Sequence, residues 1–214
     1  MYTELACFNQ ASTHNDILET IFVSSEQGIS GVALPSSFLG RVNDFIKDHS
    51  FSAAIDFPYG FSTTQVRAHE IILAIRSGAS FIDLVLNSSY VAEENWRKIK
   101  EDIKPCMAIC RQNNVELRAI IEYRLFTPKV VLQLCEILEK TGVTQIINST
   151  GSGVDDISDN AIMSYQIQKK TGLLVTACSS FLNINNISTF YKLGIYGIRF
   201  TSPRIAEDIL RNGV

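Results

Sequence analysis

Three ionisable side chains interrupt apolar, β-branched runs where an isolated charge is costly: Asp83 in FIDLVLN (81–87), and Arg118 and Glu122 in LRAIIEY (117–123). In extended chain, alternation puts Asp83, Val85 and Asn87 on one face, and Arg118, Ile120 and Glu122 on one face of the next run. An acid and a base so placed are expected to meet. Two uses of the set stay open. It is an ion pair of the core, or Asp83 and Glu122 serve as general acid and base on a small carbonyl compound, phosphorylated or not.

A second group is rich in hydroxyls and glycine. Ser149-Thr150-Gly151-Ser152-Gly153 follows the run QIINST, Ser179-Ser180 follows LLVTAC, and Thr201-Ser202 follows GIRF. Backbone N–H groups in such loops cradle phosphate, which makes Thr150, Gly151, Ser179, Thr201 and Ser202 the candidate ligand set, with Arg199 or Arg204 adding charge. The same residues also build ordinary turns. The three histidines, His14, His49 and His69, fall in helices or connections, and no His/Asp/Glu set has ligand spacing, so neither metal nor cofactor is expected.

The elements that must position these groups recur regularly. Eight short apolar runs appear, at 5–8, 31–34, 52–57, 81–87, 117–123, 145–150, 173–179 and 197–201. Between them lie helix-like stretches such as TTQVRAHEIILAIRSG and TPKVVLQLCEILEKTG, each opening on a capping threonine and closing on glycine. Parallel strands need crossover helices, and strands apolar on both faces must be covered on both sides. Eight such units predict a single (β/α)8 TIM barrel of the α/β class, spanning 1–214 as one domain, with its polar site at the carboxyl ends of the strands. No GxGxxG or GxxxxGK[ST] loop supports a nucleotide-binding open sheet.

Composition narrows the partners. With 22 acids against 19 bases the net charge is -3, and no basic stripe suits nucleic acid. No apolar run approaches the length of a membrane span and no signal segment opens the chain, so a cytoplasmic location is expected. The five cysteines (Cys7, Cys106, Cys110, Cys135 and Cys178) are scattered without a CxxC pair, which predicts free thiols.

The run DFPYGFSTTQVRAHEIILAIRSGASFIDLVLN (56–87), together with LRAIIE (117–122), NSTGSG (148–153) and Thr201-Ser202, resembles the deoxyribose-phosphate aldolase family over nearly the whole chain. The resemblance implies the same barrel. It also implies cleavage of 2-deoxyribose 5-phosphate to acetaldehyde and glyceraldehyde 3-phosphate, through a Schiff base on a sixth-strand lysine, tuned by a seventh-strand lysine and helped by a fourth-strand aspartate. Only the aspartate matches, as Asp83. Ile147 stands where the imine should form, Thr176 at the second lysine, and Ser179-Ser180 where two glycines are expected. Arg118 takes the place of a fifth-strand lysine, and Arg199-Phe200 precede the last hydroxyl pair where the family has glycine.

Imine formation needs a primary amine, and all nine lysines fall in predicted helices or connections. The expectation is therefore a lyase-family pseudoenzyme of carbohydrate metabolism. It would bind a small phosphorylated sugar, a carbonyl ligand or a partner at the old barrel mouth, as a homodimer. The alternatives are an enzyme of different acid/base chemistry on Asp83 and Glu122, and an aldolase with a relocated lysine.

Overall fold

The computed structural model describes residues 1–42 and 49–211. Eight parallel strands close into a barrel in sequence order, β1 pairing with β8. They are β1 (Tyr2–Ala6), β2 (Gly31–Pro35), β3 (Ser50–Ile55), β4 (Phe81–Val85), β5 (Glu116–Ile120), β6 (Gln145–Ile147), β7 (Leu174–Cys178) and β8 (Gly197–Phe200). Around them lie α1 (His14–Glu26), α2 (Thr64–Arg76), α3 (Ser88–Ala92), α4 (Trp96–Gln112), α5 (Pro128–Thr141), α6 (Ile157–Lys170), α7 (Ile184–Lys192) and α8 (Pro203–Arg211). A 3-10 turn, Ser36–Arg41, follows β2. No helix among the described residues is long and apolar enough to cross a membrane.

All eight expected strands are present, with shifted limits. The largest shift is at β1, which occupies 2–6 rather than 5–8 and so brings Tyr2 and Glu4 into the barrel wall. The capping signals act as expected at α5, where the Thr127 hydroxyl accepts from the Val130 N–H and Gly142 closes the helix in the left-handed conformation at φ 95°. Thr63 occupies the N-cap of α2 without a side-chain bond, and Gly78 at φ 92° follows that helix.

Alternation along each strand divides the interior in two. Outward-facing side chains such as Leu5, Leu34, Ile82, Ala119, Ile146 and Ile198 pack against the helices as the main apolar core. Inward-facing ones fill the barrel itself. There Val85, Ile120, Ile147 and Cys178 form a separate apolar cluster capped by Phe57. The five thiols are free and buried, and burial pushes those of Cys106 and Cys178 up to about 11 and about 12.

Candidate functional site

Next to that apolar cluster the barrel holds a fully buried four-charge network. Asp83 and Arg118 are register partners on β4 and β5, and Nε of Arg118 donates to Oδ1 of Asp83 at 2.7 Å. Nη2 of Arg118 donates to the second oxygen of Asp83 at 2.9 Å and to Oε1 of Glu4 at 2.8 Å. Arg199 on β8 closes the ring, donating through Nε to Oε2 of Glu4 at 2.6 Å and through Nη2 to Asp83. Ser52 on β3 accepts from Arg118 at 2.7 Å. Two carboxylates thus meet two guanidiniums, and the interior is electrically balanced.

Desolvation alone would raise the Glu4 carboxyl. Attraction by Arg118 and Arg199 and the bond from Ser52 outweigh it and hold the group down at about 2. The same opposition acts on Arg118, where burial disfavours the charge but Asp83 and Glu4 raise the pKa well above its ordinary value. Aromatic faces complete the enclosure. The Phe81 ring lies 4.5 Å from the Arg118 guanidinium carbon, and the Phe8 ring 5.7 Å from that of Arg199.

Ile147 and Thr176 are direct register partners across β6 and β7. Ile147 is fully buried between Val85, Ile120 and Cys178, and the Thr176 hydroxyl is buried without a hydrogen-bond partner among the described residues. The eight described lysines all lie on α4, α5, α6 and α7 and none is on a strand; Lys47 lies outside the described residues.

Glu122 is set apart from Asp83. It sits just beyond β5 at φ 45°, where Oε1 accepts from the Thr150 N–H and, at 3.1 Å, from the Ser149 hydroxyl, while Oε2 pairs with Arg124 at 2.8 Å. It fastens the β6 loop rather than facing the four-charge network. Asn87 is likewise structural, its side-chain oxygen capping α3 through the N–H groups of Ser89 and Tyr90.

Among the expected ligand residues, Thr150, Gly151 and Thr201 line one cavity of about 230 Å³ at the carboxyl end of the barrel, with Ser180, Asn9 and the Phe8–Phe57 ring pair. The two rings are 4.4 Å apart at their centroids and stand over the mouth. Gly151 is required there: at φ 75° an added Cβ would come within 2.9 Å of Cys178 Sγ and 3.0 Å of Thr201 Cγ2. Ser202 and Arg204 belong to an adjoining cavity of about 400 Å³ beside Asn9 and Asp16. Ser179 is buried and accepts from the Phe181 N–H. Arg199, expected to add charge to an anion site, instead lies inside the barrel on Glu4 and Asp83.

Glu4 was not among the candidate residues, although one signal pointed to it: it is the single acid in the alternating segment YTELA. The clamp beneath the β3–α2 loop was also missed. Arg67, fully buried on α2, pairs with Asp56 at 2.8 Å and with Asp102 of α4.

No family model matches the chain. Among curated proteins, a deoxyribose-phosphate aldolase of Mycoplasmopsis pulmonis is 27% identical over 198 residues, covering 90% of this chain and 88% of that one. One of Treponema denticola is 25% identical over 195 residues, covering 90% of each. One of Mannheimia succiniciproducens is 33% identical over 121 residues, 56% of this chain and 53% of that one. Among solved structures, the aldolase QR15 superimposes with a TM-score of 0.86 over 99% of this chain and 95% of that one, at 22% identity. The tetrameric deoxyribose phosphate aldolase of Aeropyrum pernix gives 0.87 over 98% and 88%, at 16% identity.

Proposed function

We propose that this chain, a homologue of proteins named deoxyribose-phosphate aldolase that shares their barrel, has given up Schiff-base aldol chemistry and acts by binding a small molecule at the barrel mouth. The observation that carries this is the pair Ile147 and Thr176, buried side by side where the resemblance calls for two amines. An imine forms only when a primary amine attacks the carbonyl carbon and water leaves. The barrel offers two cations near those positions, but both are guanidiniums held by carboxylates, and a guanidinium stays protonated and does not serve as that nucleophile.

Asp83 fits poorly as a general base for the same reason. A base must reach the proton it removes, and this carboxylate is wholly buried with both oxygens accepting from arginine. Glu122 is closer to the mouth, but its oxygens are taken up by the β6 loop and Arg124. What remains usable is the cavity at Thr150, Gly151 and Thr201, which offers hydroxyl and backbone donors and, among the described residues, no charged side chain. It suits a small sugar or carbonyl ligand, with a phosphate reached through neutral donors.

The test is reductive trapping. The chain is incubated with 2-deoxyribose 5-phosphate and borohydride and its intact mass measured. The expected mass is unchanged, whereas an adduct mapped to any lysine would overturn the proposal. The double variant Ile147→Lys/Thr176→Lys serves as the companion sample. Its trapping beside an untrapped parent would trace the loss to these two positions.

A further inference from the structure

The geometry points to a second small-molecule site in the barrel mouth, on the β2–β3 side, that takes an aromatic organic cation of the arylalkylammonium class. It goes beyond the loss of Schiff-base chemistry and does not depend on it.

A cavity of about 620 Å³ opens there, large enough for a small ligand. Its walls include three half-buried rings, Phe8, Phe38 and Phe57, with Pro35 and Pro58 beside them. Among the described residues its single ionisable lining residue is Glu70, and no lysine or arginine lines it. A carboxylate among rings and prolines suits an organic cation: the carboxylate attracts an ammonium, while an aryl group packs against the apolar wall.

The carboxylate is held for that role by two strand ends. Oε1 of Glu70 accepts from the Ser36 hydroxyl at 2.6 Å, in the turn after β2, and Oε2 accepts from the Asp56 N–H at 3.1 Å, just after β3. Each oxygen keeps a further lone pair for a ligand donor. Both bonds come from neutral donors, so the negative charge stays uncompensated by either of them.

Among the described residues, Arg67 close by is paired with Asp56 and Asp102. Arg199 lies 5.7 Å from the Phe8 centroid but is bound to Glu4 and Asp83, and Arg41 stacks on Phe38 at 5.2 Å; neither lines the cavity. A phosphate placed here would face the Glu70 carboxylate with no described cation lining the space, whereas the neighbouring Thr150–Gly151–Thr201 cavity has no described carboxylate.

Calorimetric titration of the full chain with three ligands of one shape tests the charge preference: phenethylamine, 2-phenylethanol and phenyl phosphate. The expected result is an affinity for phenethylamine at least about tenfold above that for 2-phenylethanol, with no displacement by phenyl phosphate. Glu70→Gln keeps a carbonyl for the Asp56 N–H and removes the charge. It is expected to lower phenethylamine affinity about tenfold and leave 2-phenylethanol unaffected. Equal affinity for amine and alcohol, preference for phenyl phosphate, no binding of phenethylamine at millimolar concentration, or undiminished binding by folded Glu70→Gln would each overturn the site. Should Glu70→Gln fail to fold, the three-ligand series on the native chain still decides, and Phe38→Leu supplies a second variant with the same expected loss of phenethylamine binding.

Discussion

At the scale of single residues, the interior of this barrel shows how a carboxylate can be buried with every oxygen committed. Both oxygens of Asp83 are committed to guanidiniums and none of it reaches solvent. Removing one member of such a network strands the rest. Asp83→Ala leaves Arg118 and Arg199 sharing Glu4 alone, and is expected to destabilise the fold by about 3–5 kcal/mol, read as a shift in the urea midpoint at unchanged slope. The sequence made half of this visible. Asp83 and Arg118 were legible because each stands alone in an apolar run and alternation puts them on facing sides. Their partners were not, because Glu4 lies before the apolar stretch that marks the first strand and Arg199 reads equally well as an anion ligand. A pairing between residues 195 positions apart has no local signature.

At the scale of elements, the segment from Asp56 to Ser62 decides what the mouth looks like. Asp56 adopts φ 56°, accepts from the Ser62 N–H at 2.8 Å, and is gripped by Arg67 of α2. That turn carries Phe57 over the barrel and leaves Tyr59 and Phe61 exposed, stacked 6.2 Å apart. Gly60 lets the turn sit against β4: at φ 71° an added Cβ would come within 2.4 Å of the Leu86 carbonyl oxygen. Gly60→Ala is therefore expected to cost more than about 1 kcal/mol of stability and to weaken ligand binding in both mouth cavities, measurable by thermal denaturation and calorimetry. The strand count and the helix caps at Thr127 and Gly142 were readable from periodicity and residue type. The sequence alone reads the turn as the end of a strand, because nothing in DFPYGFS marks the left-handed aspartate apart from its bonds to Ser62 and Arg67.

At the scale of the molecule, the buried charges tie stability to pH. A carboxyl held at about 2 when folded, against 4.5 when unperturbed, stabilises the native state fully above the higher value. That contribution is lost as pH falls from 4.5 towards 2, since the unfolded chain takes up the proton first. Urea titrations across this window should show a steep loss of stability, and Glu4→Gln, already weakened at neutral pH, should show a flatter one. An equal slope in the variant would mean that other carboxyls govern the acid limit.

The order in which the four charges appear along the chain has a consequence for how the barrel is made. Glu4, Asp83 and Arg118 lie in the first five strands, and Arg199 arrives only with the eighth. Without β8 the remaining strands hold two acids against one base and lack the second partner of β1. The eighth strand thus brings both the β-ladder that closes the barrel and the counter-charge, so closure of the sheet and balance of its interior charge rest on one element.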